Sequence, residues 1–220
     1  MTLPTTTDSP ALSAELRART SAAHDSAEHS PFMTALVGGR VTGIGLAALL
    51  SRLAPVYAAL ERVADGWADH PVVGDFVLPE LHRSERLAAD LRHLTGCDDV
   101  ALSPASVAYA ARMEEVGRAS APAFLAHHYT RYLGDLSGGQ VIRAALERSL
   151  GVTDGAGASF FAFPDVRPGA LKKRYRDLLD QAPFTPQQRE ELVAEALIAY
   201  RLNVALGAEL DRDVPRWTTA

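Results

Sequence analysis

The chain is 220 residues long with 47% hydrophobic and 22% charged residues, an ordinary globular composition and enough length to bury one substantial core. Its formal net charge of −5 provides no global basic field, which argues against nucleic acid as a partner. Cys97 is the one cysteine, so an intrachain disulfide is excluded and a reducing compartment suffices.

Residues 1–8 lack a basic region followed by an apolar core, so they read as a disordered tail and not a signal peptide. Ser9-Pro10 then supplies an N-cap and a first-turn proline. Leu12, Leu16, Thr20, Ala23 and Ala27 follow at spacings of four and three, the stripe of an amphipathic helix. Ser30-Pro31 ends or redirects it. Gly38-Gly39 and Gly43 bracket a turn before a long helix from about residue 46 to 65, in which Pro55 is expected to introduce a kink. Residues 70–79 are apolar, but no second strand exists to pair with them, so they read as an irregular connection. A charged amphipathic helix covers 81–94, and Ser103-Pro104 begins another reaching about residue 117. The central helix starts at 121 and closes on Gly151. An aromatic loop over 155–164 leads to helices at 169–181 and from Thr185-Pro186 to about residue 210. No apolar run is read as reaching the roughly 18 residues of a spanning helix. The prediction is a single all-α domain over 9–212, followed by a polar C-terminal tail at 213–220.

The most informative stretch lies in the middle of the central helix. Gly134, Gly138 and Gly139 each cost about 1 kcal/mol relative to alanine in a helix interior. Gly134 and Gly138 are four apart and share one face, and a face without Cβ atoms lets backbone approach something flat and bulky. On the glycines alone, a break between two helices or a tight helix crossing stands equally. Arg131 and Asp135 add a polar pair beside the bare face, which points to a ligand plane with a proton-handling group next to it.

Tyr132-Leu-Gly-Asp-Leu-Ser-Gly-Gly-Gln140 resembles, residue for residue, the distal-helix signature of the haem oxygenases, and residues 20–33 resemble their proximal helix. The resemblance runs from about residue 12 to 210. It implies a multi-helix fold in which haem b, at once substrate and prosthetic group, is sandwiched between a proximal helix and a kinked, glycine-rich distal helix. Seven histidines could ligate its iron: His24, His29, His70, His82, His93, His127 and His128. His24 stands out because Ala23 and Ala27 clear space around it, and Glu28, one turn later, can approach the ring nitrogen not used for metal. The family's proximal ligand also falls on His24, with His29 the nearest competitor.

The resemblance further implies that Lys172, Tyr175 and Arg176 bind the propionates. Arg17, seven residues before His24, stands where a lysine is more usual. Tyr129, Ser137 and Gly139 count among the further haem contacts. Tyr57, Arg131 and Asn203 match the residues that hold distal water around Asp135, while Gly134 and Gly138 crowd the bound ligand. Gly207 departs from the bulkier residue expected in the last helix.

The implied reaction opens the porphyrin with dioxygen and supplied electrons, giving biliverdin, carbon monoxide and free ferrous iron, with Asp135 delivering a proton through water. It implies an electron donor of the ferredoxin, flavodoxin or flavoprotein reductase type. It is further read as a cytoplasmic monomer without a membrane anchor, serving iron acquisition or pigment supply. Two alternatives remain at this point: a haem-storage protein of the same fold that cleaves nothing, and a non-haem enzyme of the thiaminase type, for which Cys97 in a surface turn is a poor nucleophile.

Overall fold

The computed structural model describes residues 10–97, 102–152 and 155–219, and of Glu28 the backbone alone. Residues 1–8 and Ser9 lie outside the described residues. Helix α1 (Leu12–Glu28) begins behind Ala11 without a side-chain cap, not at the expected Ser9-Pro10. The amides of Ala14 and Glu15 close the first turn onto the Ala11 carbonyl, while the Pro10 carbonyl accepts from Arg189 instead.

Polar caps set five of the later starts. Ser30 Oγ accepts from Met33 N at 3.2 Å, with Pro31 in the first turn, and opens α2 (Pro31–Val37), a helix not anticipated from the sequence. Thr42 caps α3 (Gly43–Asp65), so Gly43 lies inside the helix and the start moves three residues ahead of its expected place. Residues 70–83 carry two short 3₁₀ turns, as befits an irregular connection, before α4 (Ser84–Thr95). A reciprocal Ser103–Ser106 box starts α5 (Pro104–Gly117). Ser120 caps α6 (Ala121–Leu150), which runs unbroken for 30 residues through all three glycines and stops at Gly151 with φ 61°. Helix α7 (Pro168–Gln181) follows, and a Thr185–Gln188 box starts α8 (Pro186–Asp211).

The core forms where α3 packs on α4 and α5, and α6 packs on α8 and α5, with α1 lying along α8. By length and composition α3 could cross a membrane, contrary to the expectation that no such run exists. Twelve of its residues, among them Leu46, Leu50, Val56 and Leu60, are buried inside the domain, which accounts for its apolarity. No β-strand forms among the described residues.

The expected C-terminal tail is instead held against the domain. Residues 214–217 form α9 (Val214–Trp217), and Trp217 is 9% exposed. Its carbonyl accepts from Thr42 N at 2.8 Å and its indole donates to the Leu210 carbonyl at 3.1 Å. Trp217→Ala is expected to lower apoprotein stability by about 3–5 kcal/mol, read as an earlier midpoint in urea unfolding.

Candidate functional site

Helices α1, α2, α6 and α8 enclose a cleft of about 730 Å³, within the range of about 300–1,000 Å³ typical of ligand sites. Leu12 and Leu16 bury the first half of the α1 stripe in the core. The second half turns toward the cleft and brings Arg17, Thr20, His24 and Ala27 to its wall. Among the seven histidines, His24 is the one that lines the cleft. Its side chain is 43% exposed, its Nδ1 lies 3.6 Å from Asp25 Oδ1, and its ring meets Tyr200 edge-on at 5.9 Å. The side chain of Glu28, expected behind His24, lies outside the described residues. His29 is off the cleft, its Nδ1 2.6 Å from the Asp25 carbonyl.

The opposite wall is α6. A Cβ added at Gly134 or Gly138 meets nothing within 4 Å, so the space beside both is open cleft. One at Gly139 would lie 3.8 Å from the Phe161 ring, and this glycine faces the aromatic turn. Gly138→Ala is therefore expected to do two opposite things. It should raise the melting temperature of the apoprotein, since helix propensity gains about 1 kcal/mol, and weaken haem binding by placing a methyl where the plane must lie. Calorimetry of the apoprotein and a hemin titration read the two effects separately.

Three helices converge beside the bare face. Arg131 Nε and one terminal nitrogen donate to the Tyr57 hydroxyl at 3.1 and 2.9 Å, and its other terminal nitrogen donates to Asn203 Oδ1 at 2.6 Å. Tyr57 donates in turn to Asp135, which also lies 3.4 Å from Arg131. The Arg131 and Asp135 side chains are only 13% and 11% exposed. Burial raises the Asp135 carboxyl above its ordinary value, even though Arg131 and the Tyr57 hydroxyl pull it down. Burial pulls the Arg131 guanidinium down, but Tyr57 and Asp135 outweigh it and hold the positive charge. The result is a buried carboxyl, raised by burial and fixed by a permanent cation, at the edge of the cleft.

The mouth is cationic. Arg17, Lys172 and Arg176 line it with Tyr129, and Lys172 Nζ donates to Ser137 Oγ at 3.2 Å. Burial raises the Tyr129 hydroxyl, against the pull of Arg17 and Arg176. Tyr175 does not join them. Its ring is 2% exposed and its hydroxyl shares a 3.0 Å hydrogen bond with buried His128, so the expected propionate contact is corrected to a core position. One residue along α7 rotates a side chain by about 100°, which takes Tyr175 inward where Arg176 faces the mouth.

Several contributors went unrecognised in the sequence. Phe32 and Met33 of α2 and Phe160 and Phe161 of the aromatic loop line the cleft. The loop is held by Asp90, whose carboxylate accepts from the amides of Ser159 and Phe160 at 2.9 and 2.7 Å, and by Arg83, which donates to the Ala162 carbonyl and lies over the Phe163 ring. The Ser30-Pro31 pair, a cap followed by a proline, was the available signal for α2. Asp90 in a charged helix carried no signal that it would be buried. Gly207 lines the cleft as well.

A flat, largely apolar ligand bearing carboxylates at one edge and needing a single imidazole fits this donor set. The bare Gly134–Gly138 face accepts the plane, the three mouth cations accept the acids, and His24 faces the same space.

Comparison with known proteins bears on the same ligand. The heme oxygenase family model matches residues 10–209. Heme oxygenase of Porphyra purpurea is 34% identical over 212 residues, covering 94% of this chain and 90% of the relative. Human heme oxygenase 1 is 36% identical over 205 residues, covering 90% of this chain and 71% of the relative. The crystal structure of heme oxygenase-1 from the cyanobacterium Synechocystis sp. in complex with heme superposes with a TM-score of 0.87 at 33% identity, covering 94% of this chain and 95% of that one.

Proposed function

The chain belongs to the haem oxygenase family, and from that membership we propose that His24 holds the iron while Asp135, with Arg131, Tyr57 and Asn203, manages the proton. Its activity is the oxidative cleavage of haem to biliverdin, carbon monoxide and ferrous iron, with haem as both substrate and prosthetic group and dioxygen as co-substrate. When bound, the iron porphyrin supplies the dioxygen chemistry and the carbon that is attacked.

The rest is the work of this chain's side chains. His24 lines the cleft with its ring edge-on to Tyr200, and is the imidazole that would hold the iron. The Gly134–Gly138 face admits the ligand plane close to backbone, where a methyl would hold it off. Phe160, Phe161, Leu53 and Ile142 give the cleft an apolar lining that excludes bulk water. Arg17, Lys172 and Arg176 take the carboxylates at the mouth and so fix how the plane is turned. Arg131 anchors both the Tyr57 hydroxyl and Asp135, so the carboxyl is held in one place from which it passes a proton into the cleft through water.

The observation that carries this reading is the four-residue network at the bare face opposite His24. Mere storage of haem requires no buried acid clamped by a cation. Haem oxygenases use protein redox partners; here a donor of the ferredoxin, flavodoxin or flavoprotein reductase class is proposed to supply the electrons. Aerobic incubation of the hemin complex with a reductant, followed by chromatography, tests the reading. Decay of the Soret band with appearance of biliverdin is expected, and a persistent Soret band with no green product would leave only a carrier.

A further inference from the structure

Only two residues of α7, Tyr175 and Leu179, are buried. Leu179 belongs to the C-terminal half of the helix, where Asp180 also accepts from the Ser13 amide and hydroxyl at 2.8 and 3.0 Å. In the half that carries Lys172 and Arg176, Tyr175 is the fully buried anchor, with Leu171 packed partly against the core. Its ring stands edge-on to Phe76 at 4.7 Å and nearly parallel to His128 at 5.7 Å, and its hydroxyl shares the 3.0 Å bond with His128 Nδ1. Burial pulls His128 down to about 3, with His82 adding to the effect, so the imidazole is neutral and the pair is an uncharged hydrogen bond inside the core. His128 sits on α6 one residue before the cleft-lining Tyr129, and Lys172 reaches Ser137 on the same helix. The bond thus joins the helix bearing two mouth cations to the helix that forms the floor of the cleft.

We propose that the Tyr175–His128 hydrogen bond sets the placement of Lys172 and Arg176 over the carboxylate edge of the substrate, making Tyr175 a positioning residue for substrate orientation. Lys172 and Arg176 are four apart and project from one face of α7, so a small rotation of α7 moves both together. Leu179 and the Asp180 clamp hold the far end of the helix; at the mouth, Leu171, the Tyr175 ring and the Lys172–Ser137 contact limit the rotation, and the hydroxyl bond fixes it within that range. The proposal rests on the reading of Arg17, Lys172 and Arg176 as carboxylate anchors.

The test uses Tyr175→Phe, which removes the hydroxyl and keeps the ring, with hemin and hemin dimethyl ester as probes. The diester keeps the plane and the iron and lacks the two charges. Wild type is expected to bind hemin more tightly than the diester. In Tyr175→Phe the affinity for hemin should fall by roughly three- to tenfold, because the two cations no longer meet the carboxylates in a fixed place, with the diester changed by less than about twofold. An equal loss for both probes, or no loss for either, overturns the positioning role, because a purely structural bond would not distinguish them. If wild type itself fails to distinguish the probes, the reading of the mouth cations falls first. Should Tyr175→Phe not fold, His128→Phe/Tyr175→Phe, which removes both halves of the bond, is read against wild type in the same way.

Discussion

His24→Ala is expected to abolish the axial-imidazole spectrum of the hemin complex and to reduce biliverdin formation below detection. No other histidine lines the cleft, so no neighbouring imidazole can take over without moving a helix. Half-exposed at the cleft wall, His24 contributes little to the core, and the apoprotein should keep its helicity and its stability within about 0.5 kcal/mol. Hemin should still enter, because the apolar lining and the mouth cations remain, but it should bind more weakly. Added imidazole fills the space the ring vacated and should restore the spectrum in part. A variant with wild-type absorption and wild-type turnover would take His24 off the iron.

Asp135→Asn should leave hemin binding and the axial spectrum nearly intact while slowing biliverdin formation by about 10²–10⁴-fold, the range for loss of a positioned acid or base. Asparagine keeps the size and one acceptor oxygen, so one of the two donors, Tyr57 or Arg131, retains its partner; alanine would strand both, at a cost of about 1–3 kcal/mol. A pH signature accompanies the loss. Burial holds the Asp135 carboxyl above its ordinary value, so the folded chain keeps this proton to a higher pH than the unfolded chain does. That favours the folded state at low pH and fades as pH rises from about 4 through the folded value, and Asp135→Asn should flatten this part of the apoprotein stability curve. Undiminished turnover in the asparagine variant would remove Asp135 from the proton path.

The residues that could be placed by sequence share a property: their roles depend on their own helix. Periodicity put His24 on the same stripe as Leu16 and Thr20, and the missing Cβ atoms of Gly134 and Gly138 are a fact of composition that survives any packing. Caps at Ser103 and Thr185 act within a few residues, so the starts of α5 and α8 were legible. Membership of Tyr57, Arg131 and Asn203 in one network was implied by family likeness, since no local rule brings residues 57, 131 and 203 together.

Tertiary packing decided what covers each face. Tyr175 reads as one of a basic cluster with Lys172 and Arg176, yet it turns inward because α7 offers the core almost nothing else. Trp217, in a polar stretch, is buried because the Thr42 amide and hydroxyl at the start of α3 need the carbonyl it brings. Asp90 and Arg83 hold the aromatic turn across some seventy to eighty residues of chain. Helical periodicity states which residues look the same way, but the identity of the neighbour that meets them is a property of the packed fold, where burial and unpaired polar groups are settled together.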